Sequence, residues 1–122
     1  MDYDQLCKYI IKMDPKVRFA VICDESGEII YGGHRDNIDS LLTEEESKRS
    51  LQQAWARWKL RNELASKIGR GKYAMAEYEK IKRITIPLDD MHLLLVTTDV
   101  TADHMRIINE ILSLKDRLST FK

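Results

Sequence analysis

Cysteine, proline and glycine are all scarce in this chain, at two, two and five of 122 residues. Cys7 and Cys23 are too few for a disulfide framework, and they sit among apolar neighbours with no metal-ligand spacing. They therefore read as buried thiols of a reducing compartment. So little proline and glycine excludes a collagenous or low-complexity chain. Net charge is absent as well, because 20 basic side chains face 20 acidic ones. No global field then draws the protein to nucleic acid or to an anionic membrane, and neither is expected as a partner. No apolar run approaches the roughly 18 residues that a membrane span needs. Met1-Asp2-Tyr3-Asp4 is acidic where a secretory signal would be basic. The expectation is a cytoplasmic protein. What the chain does have is 43% hydrophobic and 33% charged residues, the composition of an ordered globular protein, and a length that suits a single domain over residues 1–122.

From Asp2 to Met13, Tyr3, Leu6, Cys7, Ile10 and Ile11 recur at helical spacing, and Asp14-Pro15 ends the helix. Val17, Phe19, Val21 and Cys23 alternate along a strand that is mostly apolar on its other side too. Asp24-Glu25-Ser26-Gly27 turns it into a partner strand, Glu28–Gly32. Gly33 to Ser40 is a connection rich in turn formers. Thr43-Glu44-Glu45-Glu46 then matches a capping box at the start of a long helix expected to run to Ile68, with Leu51, Ala54, Trp55, Trp58, Ala65 and Ile68 on one face and Gly69-Arg70-Gly71 as its stop. Three strands follow, Lys72–Glu79, Lys82–Leu88 and Met91–Thr98, the last two joined by a tight turn at Asp89-Asp90. Asp99-Val100-Thr101 is expected to cap a final helix carrying Met105, Ile108, Ile111, Leu112 and Leu118. The order is α-β-β-α-β-β-β-α, an α/β (α+β) fold in which the middle helix covers one sheet face and the terminal helices cover the other.

In this order, with the hairpin Ala20 to Tyr31 and the C-terminal hairpin Ile84 to Val96, the chain resembles the roadblock/LC7 family. That resemblance implies a five-stranded antiparallel sheet with helices on both faces. The strand, D-x-x-G turn and strand of the first hairpin are also similar to longin, profilin-like, PAS and Cache domains. The segment Tyr73 to Lys80 resembles a family of small archaeal proteins with no assigned activity. Roadblock-like domains lack catalytic residues and dimerise through the middle helix and an edge strand, and some regulate small GTPases. The resemblance thus implies a homodimer, a protein partner such as a small GTPase, no cofactor and no enzymatic activity. The middle helix here is longer and more charged than the usual family version.

Trp55 and Trp58, three apart on the core stripe, either cover the sheet or line a ligand pocket, and His92 on the last strand is a further candidate for that pocket. Ala56, Leu60 and Leu64 fall on the opposite side of the same helix, where a chain covering its sheet once leaves them exposed. They form a candidate partner interface. Lys67, Arg70 and Lys72 near the glycine pair, and Lys80, Lys82 and Arg83 near the next hairpin, would make a basic patch if the two groups met. As Gly69-x-Gly71 lies at a helix C-terminus, it is the wrong end for a phosphate cradle. His34, His92 and His104 are dispersed and give no metal set, and no Ser or Cys has a recognisable base nearby. Asp89 and Asp90 are adjacent and read as turn chemistry. Three functional classes remain: a self-associating regulatory or scaffold domain, a PAS- or Cache-like small-molecule sensor, and a nucleic-acid binder acting through local basic patches.

Overall fold

Asp2 sets the start of the first helix. Its carboxylate accepts the Gln5 N–H at 2.8 Å while the Gln5 side chain accepts the Asp2 N–H at 3.0 Å, a reciprocal cap that opens α1 at Tyr3–Met13. Asp14, held extended ahead of Pro15, ends it. The computed structural model describes residues 2–120. β1 is Val17–Cys23 and β2 is Ile29–His34, joined by a turn that Asp24 holds together. Its Oδ1 accepts from the Ser26 N–H, the Ser26 hydroxyl and the Glu28 N–H at 3.0, 2.6 and 3.1 Å. β2 runs two residues beyond the expected Gly32. It does so because Gly32 takes φ 88°, and a Cβ there would lie 2.1 Å from the Ala20 carbonyl oxygen. Only glycine lets the two backbones pass this closely.

The capping box at Thr43 is formed: the Thr43 hydroxyl accepts the Glu46 N–H at 3.1 Å, and Glu46 accepts the Thr43 N–H at 2.9 Å. It opens α2, Glu44–Asn62. The expected continuous run to Ile68 is not found. The Glu63 and Leu64 N–H groups turn back to the Leu60 and Arg61 carbonyls, and a single turn, α3 at Ala65–Ile68, follows before Gly69 at φ 87°. Beyond Trp58 the segment has nothing to bury: Leu60, Leu64 and Ile68 are 63%, 55% and 79% exposed. Without packing, helical propensity alone does not extend the helix. Ala65 and Ile68 therefore do not join the core stripe.

β3 is Ala74–Glu77, β4 Ile81–Pro87 and β5 Leu93–Asp99, and the last helix, α4, is His104–Thr120. Asp99 to Ala102 forms a turn closed by the Ala102 N–H on the Asp99 carbonyl at 3.1 Å. Asp103, not the expected Asp99-Val100-Thr101, accepts a first-turn amide, that of Arg106, at 3.2 Å.

The five strands form one sheet in the order β2-β1-β5-β4-β3, antiparallel throughout. Alternation then divides the core in two. Leu94 and Val96 join Ala20, Ile22, Ile84 and Ile86 beneath α1 and α4. Leu93 and Leu95 join Phe19, Val21 and Cys23 beneath Leu51, Ala54, Trp55 and Trp58 of α2. The class, the five-stranded antiparallel sheet and the placement of helices on both faces are as the sequence led us to expect. Among the described residues no helix is long and apolar enough to cross a membrane.

Candidate functional site

The half of α2 that lies on the sheet is fixed by two indoles. Trp58 is 1% exposed and donates from Nε1 to the Thr85 hydroxyl on β4 at 2.9 Å. Gly71 closes over its ring, where a Cβ would come within 2.6 Å. Trp55 is buried beside Cys23, whose thiol burial pushes up to about 11, with the Trp55 side chain opposing the rise. That contact falls short of hydrogen-bond geometry, so the Trp55 Nε1 is a buried donor without an acceptor among the described residues. An open cleft lined by Lys59, Arg70, Gly71 and Asp90 runs along the outer edge of this pair.

His92 is not brought to the indoles. It lies just before β5, against the edge of the Tyr3 ring at 5.2 Å between centroids, and its Nδ1 sits 2.9 Å from Asp89. Tyr3 belongs to α1, on the sheet face opposite α2. The hydroxyl of Tyr3 donates to Asp89 at 2.6 Å, and the Met91 N–H donates to the same carboxylate at 2.7 Å. Burial works to raise the Asp89 pKa, but the Tyr3, Met91 and His92 contacts outweigh it and hold the carboxyl below its ordinary range, while burial and Asp89 push the Tyr3 hydroxyl up. Asp90 pairs with Arg70 at 3.2 Å. The adjacent acids thus serve a turn and an ion pair.

Of the basic residues that could have formed a patch, one is drawn away from the others. Lys82 is 6% exposed and turns to the α4 side, where its Nζ donates to the Ala102 carbonyl at 2.9 Å and lies 2.8 Å from His104 Nδ1. No three His, Cys, Asp or Glu side chains among the described residues converge as a metal site.

The candidate interface is split by the end of the helix: Ala56 and Leu60 lie on α2, while Leu64, expected on the same helix, comes after its end at Asn62 and just before α3. Ala56, Leu60 and Leu64 are exposed, three carboxylates (Glu44, Glu45 and Glu46) occupy the first turn, and Lys59 and Arg61 occupy the last. Sequence reading missed a neighbouring group. Arg57 and Arg61 of α2 and Arg83 of β4 line one cleft with Thr85 and Tyr78, beside the edge strand β3. The Arg61 guanidinium lies 4.7 Å from the Trp58 ring centroid. The spacing of Arg57 and Arg61, four apart on the helix, and the alternation of Arg83 with Lys82 were visible signals. That β4 runs beneath the second half of α2 was not.

Over residues 1–118 the sequence matches a family described as "Family of unknown function (DUF6659)". No curated protein matches it. Among solved structures, a Roadblock/LC7 domain from Streptomyces avermitilis is similar with a TM-score of 0.71 at 14% identity, covering 99% of this chain and 98% of that one. MglB from Myxococcus xanthus gives 0.69 at 16% identity, with 97% and 92% covered. Profilin from Schizosaccharomyces pombe gives 0.67 at 11%, with 98% of both chains covered. At these identities the likeness is one of fold, and that fold is the roadblock/LC7-like, profilin-like one.

Proposed function

The chain belongs to DUF6659, a family of unknown function, and we propose that it acts as a non-enzymatic regulatory or scaffold domain, working through self-association and protein contacts. The likeness in fold to Roadblock/LC7 domains supports this class. The observation that carries it is the outward side of α2 and the turn after it, where Ala56 and Leu60 on the helix and Leu64 just beyond its end stand in solvent although the other side of the helix already covers the sheet. A second copy of the chain suits this stripe. Antiparallel pairing of two α2 helices sets the acidic first turn of one beside Lys59 and Arg61 of the other. Such a homodimer would present a composite surface to a further protein, a small GTPase being the partner class that the resemblance implies. Cytoplasmic placement accords with Cys7 and Cys23 being unpaired and buried. The alternative, a PAS- or Cache-like sensor, needs room between α2 and the sheet, and the dense packing of Trp55 and Trp58 against Phe19, Val21 and Leu95 favours the scaffold reading.

Sedimentation equilibrium tests the proposal. The unaltered chain is expected to dimerise at high micromolar concentration, and Leu60→Glu with Leu64→Glu to give a monomer with an unchanged circular-dichroism spectrum. An unaltered chain that is monomeric at that concentration, with the paired substitution leaving its sedimentation unchanged, sinks the reading.

A further inference from the structure

The cleft between the C-terminal half of α2 and strands β3 and β4 contains donors and no acceptor of opposite charge. Arg57, Arg61 and Arg83 all line it, none of them has a carboxylate partner among the described residues, and no Asp or Glu lines it. The acid nearest in the β3 sequence, Glu77, is 3.9 Å from Lys82 on the other side of the sheet. Thr85 adds one more donor: its oxygen already accepts the Trp58 N–H, which leaves its own O–H to give. The Trp58 ring beneath Arg61 limits where that guanidinium can go. Offsetting the helix dipole explains Arg61 at the end of α2 but not Arg83, which comes from a strand.

We infer that this cleft binds a compact polyanion of two or more linked phosphates. Guanidinium forks match phosphate oxygens in geometry as well as charge, and three of them around one space suit several neighbouring negative charges better than a single carboxylate. Every group in the site comes from one chain, but Arg61 is also set beside the acidic first turn of the second copy in the proposed dimer, so Arg83, which belongs to β4, is the residue that tests the cleft apart from self-association.

Isothermal titration calorimetry on the full chain, with inorganic tripolyphosphate at about 50 mM salt to limit screening, tests the inference. One ion is expected per chain. Arg83→Gln and the pair Arg57→Gln, Arg61→Gln should each weaken binding about tenfold or more, the scale of charge-assisted hydrogen bonds, while Arg117→Gln on α4 should leave it within about twofold, as expected for a screened distant charge. Amide shifts on the unaltered protein should centre on Ala76, Tyr78 and Thr85, a readout that needs no variant to fold. Adenosine triphosphate binding much more tightly than tripolyphosphate would identify a nucleotide as the source, equal affinity an inorganic chain, and both support the site. Absence of binding, an equal loss in Arg117→Gln, or binding of single-stranded RNA without binding of tripolyphosphate would overturn it.

Discussion

Trp55 and Trp58 are chemically identical and lie on the same buried stripe, yet shortening them should have different costs. Trp58→Phe removes a ring edge of roughly 40 Å3, worth about 1 kcal/mol if the site does not collapse, and a hydrogen bond to Thr85 worth about 1 kcal/mol more. A loss of about 2 kcal/mol is expected. Thr85→Val keeps the side-chain shape but strands the indole N–H, at about 1–2 kcal/mol. The two changes share one bond, so the double variant should cost about 1 kcal/mol less than the sum. Trp55→Phe opens a similar void but deletes a buried donor that has no acceptor among the described residues, and relief of that desolvation should hold the net cost below about 1 kcal/mol. Urea unfolding followed by circular dichroism at one fixed protein concentration reads all four variants. A coupling within about 0.3 kcal/mol of zero, or a Trp55→Phe cost equal to that of Trp58→Phe, refutes the reasoning.

Gly32→Ala should lower the melting temperature by more than about 10 °C, since its Cβ would strike the Ala20 backbone at a positive φ, whereas Gly33→Ala, with open space around it, should be close to neutral. Equal melting temperatures contradict this. Asp14 is held below the ordinary carboxylate range by the Lys16 N–H and by Arg106. Its contribution to stability is therefore complete above about pH 4 and lost as pH falls through the folded value. Asp14→Asn should flatten that acid limb in urea midpoints measured from pH 2 to 6, and an unchanged slope would count against it. The Cys7 and Cys23 thiols, pushed up by burial to about 12 and about 11, should react with a disulfide reagent at pH 8 about 100-fold more slowly in the folded protein than in urea. Rapid labelling of the folded chain would show the thiols to be accessible.

Most of the fold was legible because it rests on local rules. The cap at Thr43, the Asp24 turn and the alternation along β1 and β4 are each set by a few neighbouring residues. What was not legible depended on burial. The end of α2 lay at Asn62 and not Ile68 because the residues after Trp58 find no surface to cover, and a periodic pattern does not reveal what it packs against. His92 read as a pocket residue because it was placed on a central strand, yet it lies just before β5, on the Tyr3 side of the sheet. Ala56 and Leu60 stand in solvent as expected, since a helix that lies once on a sheet has one inward side, whereas Leu64 is exposed because the helix has already ended at Asn62. The arginine cleft was invisible because Arg83 reaches Arg57 and Arg61 only through the pairing of β4 with β5.

The strand order carries a consequence for how the protein is made. β1 and β5 are neighbours at the centre of the sheet, yet some 70 residues of chain separate Cys23 from Leu93. During synthesis the β1–β2 hairpin emerges early with one long edge open, and it waits through the making of α2, β3 and β4 before its partner exists. Both core layers need β5, which supplies side chains to each, and the layer beneath α1 and α4 is complete only once α4 has also been made. A nascent chain halted before Leu93 lacks the β5 part of both cores and leaves one edge of β1 unpaired, the kind of edge that invites pairing with other chains.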